Sequence, residues 1–328
     1  MKPSFENCLN SSRKLIAMAL SEDLGGKDLA SGIDCTTAAL LPRADPGVAY
    51  LVCRDNGVIC GLEIARLLVS EFGNSVQFES QLADGDPVWS QQRVGVLTGN
   101  AGQILTLERT ILNFLGRLSG IASLTHQYVQ AIAGTKARIL DTRKTTPGWR
   151  QLEKYAVACG GGDNHRIGLF DGAMIKDNHL ALYRNFLSKA KQRGSQREAT
   201  SRQDQSIRQA VAEVKNWIAV HQSSLPLGLT TPVFLEVDTL EQLQIGLQTS
   251  VDSILLDNMD LERLRQSVAL RDRLAPGILL EASGGVNLTT VRGIAETGVD
   301  RISIGALTHS AKNFDIGLDW SEDSSQAN

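Results

Sequence analysis

Long apolar runs are missing from this chain. Its first twenty residues hold only the apolar stretch 15–20, cut off by Ser21-Glu22-Asp23, which is too short for a signal-peptide core or a membrane span. A cytoplasmic protein is therefore expected. Cysteine is sparse and unpatterned: Cys8, Cys35, Cys53, Cys60 and Cys159 contain no Cys-x-x-Cys pair. An odd number in a chain this long makes no disulfide framework, so reduced thiols are expected, Cys159 among them as a small buried hydrophobe. Nor is there an excess of either charge, since 33 Lys and Arg stand against 36 Asp and Glu for a formal net charge of −3. A general nucleic-acid or membrane surface needs a broad basic face, so the partners that remain are small molecules. With 328 residues and 42% hydrophobic side chains, the chain is long enough for one large domain and a smaller one.

What the chain does have is a local concentration of positive charge. The blocks Asp141-Thr-Arg-Lys-Thr-Thr-Pro-Gly, Gly160-Gly-Gly-Asp-Asn-His-Arg and Ile175-Lys-Asp-Asn-His gather Arg143, Lys144, His165, Arg166 and Lys176 between Leu140 and Leu180. Arg143, Lys144 and Lys176 closely follow strand-like runs at 137–140 and 172–175, and His165-Arg166 follows a glycine triplet. Cations collected at strand ends, in a chain of nearly balanced charge, point to a pocket for an anion with more than one negative group. A set of surface salt bridges is the plainer alternative.

From Ala137 onward a short apolar run, a polar residue at its end and a helical stretch recur, with runs at 137–140, 173–175, 233–235, 253–256, 278–280 and 301–304. Strands alternating with helices imply parallel pairing. An incomplete or TIM-like α/β barrel is expected rather than an open doubly wound sheet. The reason is that Lys176, Glu236, Asp257 and Ser283 close several different strands, whereas a doubly wound sheet collects its site at one switch point. Ser283-Gly284-Gly285 and Ile304-Gly305-Ala306, after the last two strands, look like loops that offer backbone N–H groups to a phosphate with no Cβ in the way.

The N-terminal part has another rhythm. Residues 11–24 read as an amphipathic helix, 47–63, 75–82 and 94–97 as antiparallel strands with turns at Gly57, Gly73 and Gly85, and 108–128 as one or two helices. On these, Arg109 and Arg117 read as solvated charge. The expected division is a smaller α+β sandwich domain at 1–117, joined by the C-terminal segment 310–328, and a barrel at 118–309. Residues 182–231 interrupt the barrel rhythm with a polar stretch, 188–205, and a helix-like stretch, 206–221, and are expected to form a partly mobile surface insertion. The tail after Trp320 is expected to be loose.

The three cationic blocks resemble those of the quinolinate phosphoribosyltransferase family. The resemblance continues through Glu108-Arg-Thr-Ile-Leu-Asn-Phe-Leu, Leu118-Ser-Gly-Ile-Ala, Phe234-Leu-Glu-Val-Asp, Leu255-Leu-Asp-Asn-Met, Glu281-Ala-Ser-Gly-Gly-Val and Ile302-Ser-Ile-Gly-Ala-Leu-Thr-His-Ser. An opening Glu22-Asp-Leu-Gly-Gly-Lys-Asp, a few residues longer than the family's, precedes Thr36-Thr. Only the insertion and the tail fall outside it. The resemblance implies a pentosyltransferase of NAD biosynthesis that joins quinolinate to 5-phosphoribosyl-1-pyrophosphate with Mg²⁺, releasing nicotinate mononucleotide, pyrophosphate and CO2. It implies that Thr142, Arg143, His165, Arg166 and Lys176 hold quinolinate, with Arg109 reaching in from the partner subunit of a homodimer or a higher multiple of dimers. Lys144, Glu236 and Asp257 would meet the phosphoribosyl donor, the two carboxylates on ribose hydroxyls or metal, and Ser283, Gly284, Gly285, Ile304, Gly305 and Ala306 would carry its phosphate. Lys144, Lys176, Glu236 and Asp257 form the implied catalytic set.

Taken singly, each of these residues has a structural explanation: His165 as a packing histidine, Glu236 and Asp257 as structural carboxylates. Three rival functions remain open at this point. One is a related phosphoribosyltransferase-like protein with a changed substrate, such as the molybdenum-transport-associated relative or a nicotinate phosphoribosyltransferase; the number of cations argues against a monocarboxylate. The second is a Schiff-base barrel lyase using Lys176, and the third a phosphate-binding protein without catalysis.

Overall fold

The structure is a computed structural model and describes residues 5–25, 32–41, 45–73, 75–191, 202–221 and 231–321. In chain order its elements are a 3-10 turn (Phe5–Cys8), α1 (Leu9–Leu24), α2 (Cys35–Leu40), β1 (Pro46–Cys53), β2 (Gly57–Val58), α3 (Leu62–Phe72), β3 (Val76–Glu79), β4 (Pro87–Val88), β5 (Arg93–Asn100) and α4 (Ala101–Ala131). Then follow β6 (Arg138–Leu140), α5 (Arg150–Cys159), β7 (Ala173–Ile175), α6 (Asp177–Lys191), α7 (Arg202–His221), β8 (Val233–Val237), α8 (Leu240–Gly246) and β9 (Ser253–Asp257). The last are α9 (Leu261–Leu274), β10 (Leu279–Ser283), α10 (Val291–Ala295), β11 (Arg301–Ser303), α11 (Ala306–His309) and β12 (Ile316–Trp320). Among the described residues no helix is long and apolar enough to cross a membrane. Gly26, Lys27 and Asp28 of the opening motif, residues 192–201 and 222–230 of the segment read as an insertion, and the tail beyond Ser321 lie outside the described residues.

The chain divides into two compact units, Met1–Val129 with Lys144–Asn164 and Gly305–Asn328, and Gln130–Arg143 with His165–Ile304. The first is α+β. Its antiparallel sheet runs β12-β1-β5-β3, with Leu51 of β1 opposite Leu318 of the C-terminal strand. Helix α4 is one continuous helix that buries Ile104, Leu107, Ile111, Leu115, Leu118 and Ala122, the three-and-four spacing of a core-facing stripe. The strand expected over 47–63 ends at Cys53, and 62–72 is helix α3. Asp84 explains its start: the carboxylate accepts the N–H groups of Gly61 and Leu62 at 2.9 and 2.8 Å, satisfying donors that a helix N-terminus leaves unpaired. Arg117 is not a solvated charge. It donates to Glu153 at 2.6 Å and to the carbonyls of Thr308 and Ala311, and Glu153, fully buried, also accepts the Thr146 hydroxyl at 2.9 Å.

The second unit is built on a six-stranded parallel sheet in the order β6-β11-β10-β9-β8-β7. Each strand from β7 to β11 neighbours its successor, and the last returns to pair with the first, Ile302 opposite Ile139. That succession is the cyclic order of an α/β barrel, interrupted where β6 and β7 share no ladder, so the expected incomplete barrel is what forms. Hydrophobic runs such as Val233-Phe234-Leu235 suit strands covered on both faces. The described part of 182–231 is largely scaffold: α7 buries Ile207, Ala210 and Val211 at helical spacing and supplies the crossover before β8.

The starts of β10 and β11 are fastened by Asp300. Its carboxylate accepts from Leu280 N–H at 2.9 Å, Arg271 Nη1 at 2.6 Å and Lys136 Nζ at 2.8 Å. Burial raises its pKa, but these three donors and the Arg271 charge outweigh burial and hold it below the ordinary carboxylate value. Its stabilisation is therefore present above the unfolded-state pKa of about 3.9 and is lost as pH falls through the lower folded-state value. Asp300→Ala leaves Arg271 buried without this partner and is expected to cost about 3 kcal/mol at pH 7 in urea unfolding, the difference shrinking in strong acid. Equal stability of the two proteins at pH 7 would remove this anchor from the account.

Candidate active site

Side chains in a strand alternate between faces, so the register of the parallel ladder decides which residues share the barrel interior. Leu235 and Ile254 lie against Gly246 of α8, on the outer face. Phe234 and Glu236 of β8, with Ser253, Leu255 and Asp257 of β9, therefore face inward. Register carries the alternation to Glu281 and Ser283 on β10, opposite Leu255 and Asp257, and to Arg301 and Ser303 on β11. On the other side, Ile175 pairs with Leu235, so Lys176 stands level with Glu236, and its Nζ donates to Glu236 Oε2 at 2.9 Å. That ion pair commits the Lys176 amine to a carboxylate, where the nucleophile of a Schiff-base lyase needs it free for a carbonyl carbon.

The unit also brings together Arg143, His165 and Arg166. Arg143, just after β6, is half-buried, and its Nε is sealed from solvent with no hydrogen-bond partner. Arg166 sits in a loop closed by Asp171, whose carboxylate accepts the N–H groups of Ile167 and Gly168 at 2.6 and 2.8 Å, and its Nη1 donates to the Gly172 carbonyl at 2.8 Å. Burial and then the Arg143 charge push its guanidinium below the ordinary value, against the pull of Asp171 and Glu236. Two guanidiniums within electrostatic reach of each other, one with an unused buried donor, suit a planar carboxylate that would pair with both. Thr142 is half-buried beside them at the strand end.

His165 is fixed from several directions. Its backbone N–H donates to the buried Asp141 carboxylate at 2.8 Å, its Nδ1 accepts Arg166 N–H at 2.7 Å, and its ring meets Phe234 with centroids 4.9 Å apart. With Nδ1 accepting, the neutral ring carries its proton on Nε2. That nitrogen points at Glu281 Oε1, 3.5 Å away.

After β10, Gly284 has φ +98° and a Cβ there would lie 2.1 Å from Asn258 Oδ1, so only glycine fits. Asn258 itself holds φ +53° and donates its N–H to the Ser283 carbonyl at 2.9 Å, while Gly285, at φ +62°, has open space around it. Ile304 N–H donates to the Leu140 carbonyl at 2.9 Å and continues the ladder. Asp257, half-buried, accepts from Asn258 Nδ2 at 2.9 Å.

Other residues singled out by the sequence belong to the first unit. There Lys144 is exposed, its carbonyl accepts the Thr308 hydroxyl at 2.7 Å, and its stem approaches Gly305 so closely that a Cβ on Gly305 would lie 2.9 Å from Lys144 Cδ. Ala306, half-buried, opens α11, and Arg109 is exposed on α4. Three residues of the second unit lay inside the quoted motifs without a role: Asp141, Asn258 and Glu281. A charged residue at an inward strand position was the available signal for Glu281, and the asparagine following a strand was the signal for Asn258. Among the described residues no group of three or more His, Cys, Asp or Glu side chains is arranged for a metal ion.

Comparison with known proteins agrees along almost the whole chain. Residues 34–119 match the family described as Quinolinate phosphoribosyl transferase, N-terminal domain, and residues 121–319 match its C-terminal domain. A nicotinate-nucleotide pyrophosphorylase (carboxylating) of Mycobacterium leprae is 40% identical over 312 residues, covering 94% of this chain and 97% of the relative. Quinolinate phosphoribosyltransferase (decarboxylating) 1 of Nicotiana glauca is 37% identical over 313 residues, covering 93% and 81%. The crystal structure of nicotinate-nucleotide pyrophosphorylase from Ehrlichia chaffeensis superposes with a TM-score of 0.77 at 36% identity, covering 98% of this chain and all of that one, 100%. By sequence and by fold, the chain belongs to the quinolinate phosphoribosyltransferase family.

Proposed function

We propose that this protein transfers the phosphoribosyl group of 5-phosphoribosyl-1-pyrophosphate to quinolinate and releases CO2, forming nicotinate mononucleotide and pyrophosphate for NAD biosynthesis. The observation that carries this reading is the electrostatic proximity of Arg143 to Arg166, next to His165, with the buried Nε of Arg143 lacking an acceptor among the described residues. A planar ring with two adjacent carboxylates supplies acceptors in the directions such a cluster needs, whereas a single carboxylate leaves cations uncompensated. The names carried by relatives that match 94% and 93% of this chain point to the same chemistry.

In this reading Thr142, Arg143, His165, Arg166 and Lys176 orient the pyridine ring, and the donor's phosphate rests on Ser283, Gly284 and Gly285. With the Ile304 N–H committed to the ladder, Gly305 and Ala306 would be the backbone donors of the second loop. Lys144 offsets charge on the departing pyrophosphate. As that group leaves, positive charge develops at the anomeric carbon, and Glu236 and Asp257 stabilise it or hold the ribose hydroxyls. Positioning does most of the work, since no protein nucleophile is required. Decarboxylation is the substrate's own chemistry, because the now quaternary ring nitrogen stabilises the carbanion left next to it.

Glu236 and Asp257, on adjacent strands, offer hard oxygen donors, and each already takes one protein donor. One or two carboxylates completed by substrate phosphates is the usual Mg²⁺ arrangement, so these two residues fit the ion and would hold it. Mg²⁺, when bound, would screen the pyrophosphate charge. Arg109, exposed on α4, would reach into the partner subunit's site, making a homodimer the smallest active unit. All five cysteines are unbridged, which suits the cytoplasm.

Incubation with phosphoribosyl pyrophosphate and Mg²⁺ is expected to yield mononucleotide and CO2 from quinolinate and nothing from nicotinate; turnover of nicotinate alone would assign the pocket to a monocarboxylate. For the shared site, Arg109→Ala and Arg143→Ala proteins, each inactive by itself, are expected to regain a fraction of wild-type activity when mixed, since one composite site of the heterodimer is intact. Persistent inactivity in subunits shown to exchange would mean that Arg109 acts within its own chain.

A further inference from the structure

Beneath the cation cluster lies a carboxyl group that the reaction as described does not use. Glu281 is 1% exposed in the barrel interior, and no hydrogen bond of good geometry reaches either of its oxygens. The group nearest above it is His165, whose Nε2 stands 3.5 Å from Oε1. Around it are Leu255 on β9, opposite in register, and Arg301 and Ser303 on β11. The other carboxylate close by is Asp141, fully buried and committed to the His165 N–H. A carboxylate in this position places a buried negative charge under a pocket meant for a dianion. A carboxylic acid removes that charge and leaves Oε1 facing Nε2 across 3.5 Å, with the proton on Oε2.

We infer that Glu281 takes up a proton from solvent when the dicarboxylate settles into the cation cluster, so that binding of quinolinate is coupled to neutralisation of the carboxyl beneath it. This rests on the function proposed above and adds a positioning residue to that site. The empty protein is poised for the step. Burial foremost, and Asp141 in addition, push the Glu281 pKa up to about 7 against the pull of the Ser303 hydroxyl and Arg301. A further negative charge above it can only raise that value. By linkage, affinity for quinolinate is then level below pH ~7 and falls, by up to about tenfold per pH unit, as pH rises above it.

The test is calorimetric titration with quinolinate at pH 6 and pH 8, in two buffers of different ionisation enthalpy, for the wild-type protein and for Glu281→Gln. The glutamine keeps the shape of the protonated acid. Wild type is expected to bind about tenfold or more weakly at pH 8 than at pH 6 and to absorb close to one proton per quinolinate at pH 8. Glu281→Gln is expected to hold the tighter affinity at both pH values with no proton uptake. Three results would overturn the proposal while leaving the function standing: quinolinate binding by wild type without proton uptake, the same uptake in Glu281→Gln, or a variant that is pH-independent but weak at both values. The last would put the proton on His165, held there by a carboxylate. A wild-type protein that binds no quinolinate at either pH would sink the functional reading and this proposal together.

Discussion

The second unit depends on one constraint, the parallel ladder in which β11 returns to pair with β6. In such a ladder the side-chain period of two is shared by every strand, and fixing one residue's direction fixes the whole set. A slip of one residue in β8 would turn Glu236 out toward the helices and bring Leu235 into the site. The interior positions are consequently not independent choices. Lys176 beside Glu236, and Glu281 opposite Arg301, follow from register before any interaction between them is considered. Asp300 holds that register at the opposite end of the strands, where its carboxylate gathers Leu280 N–H, Arg271 and Lys136.

Within that frame the charges are sorted by depth. Arg143, Arg166 and Lys176 are half-buried, while Asp141 and Glu281 are almost fully buried. Buried carboxylates need compensation. Asp141 receives it from His165 N–H, and Glu281 has a raised pKa instead. His165 stands between the two layers, its backbone bonded to one carboxylate and its ring directed to the other. The imidazole is held by its surroundings, so its position does not depend on a ligand being present.

The glycine-bearing loops are a second, separate economy of space. Gly284 has no alternative, because its positive φ and the Asn258 amide occupy the volume a side chain would need. Asn258 tolerates the left-handed conformation better than most residues with a Cβ. A loop this tightly packed presents its backbone in one arrangement, which is what a phosphate, bound through N–H groups, requires.

Much of this was legible in the residues. Six apolar runs gave the six barrel strands within three residues of their observed ends, because a strand buried on both faces is largely apolar and a polar residue breaks the run. The cationic blocks stood out for the same reason. Helix α3 was not legible, since its start depends on Asp84 reaching back to Gly61 from another part of the chain. Arg117 was misread because a helix position does not reveal whether its guanidinium meets water or a buried carboxylate, and Glu153 lies 36 residues away in sequence. The crossover helix α7 was legible from residue 206 onward, because Ile207, Ala210 and Val211 recur at helical spacing; only its first turn, 202–205, lay in the polar stretch that precedes it. Glu281 was the hardest. Alternation along 279–283 permits either face to be the interior one, and only contact with His165 shows that the charged residue, rather than Leu280, turns toward the site. A charge in a strand becomes chemically meaningful once its neighbours across the barrel are known, and those neighbours come from four other segments of the chain.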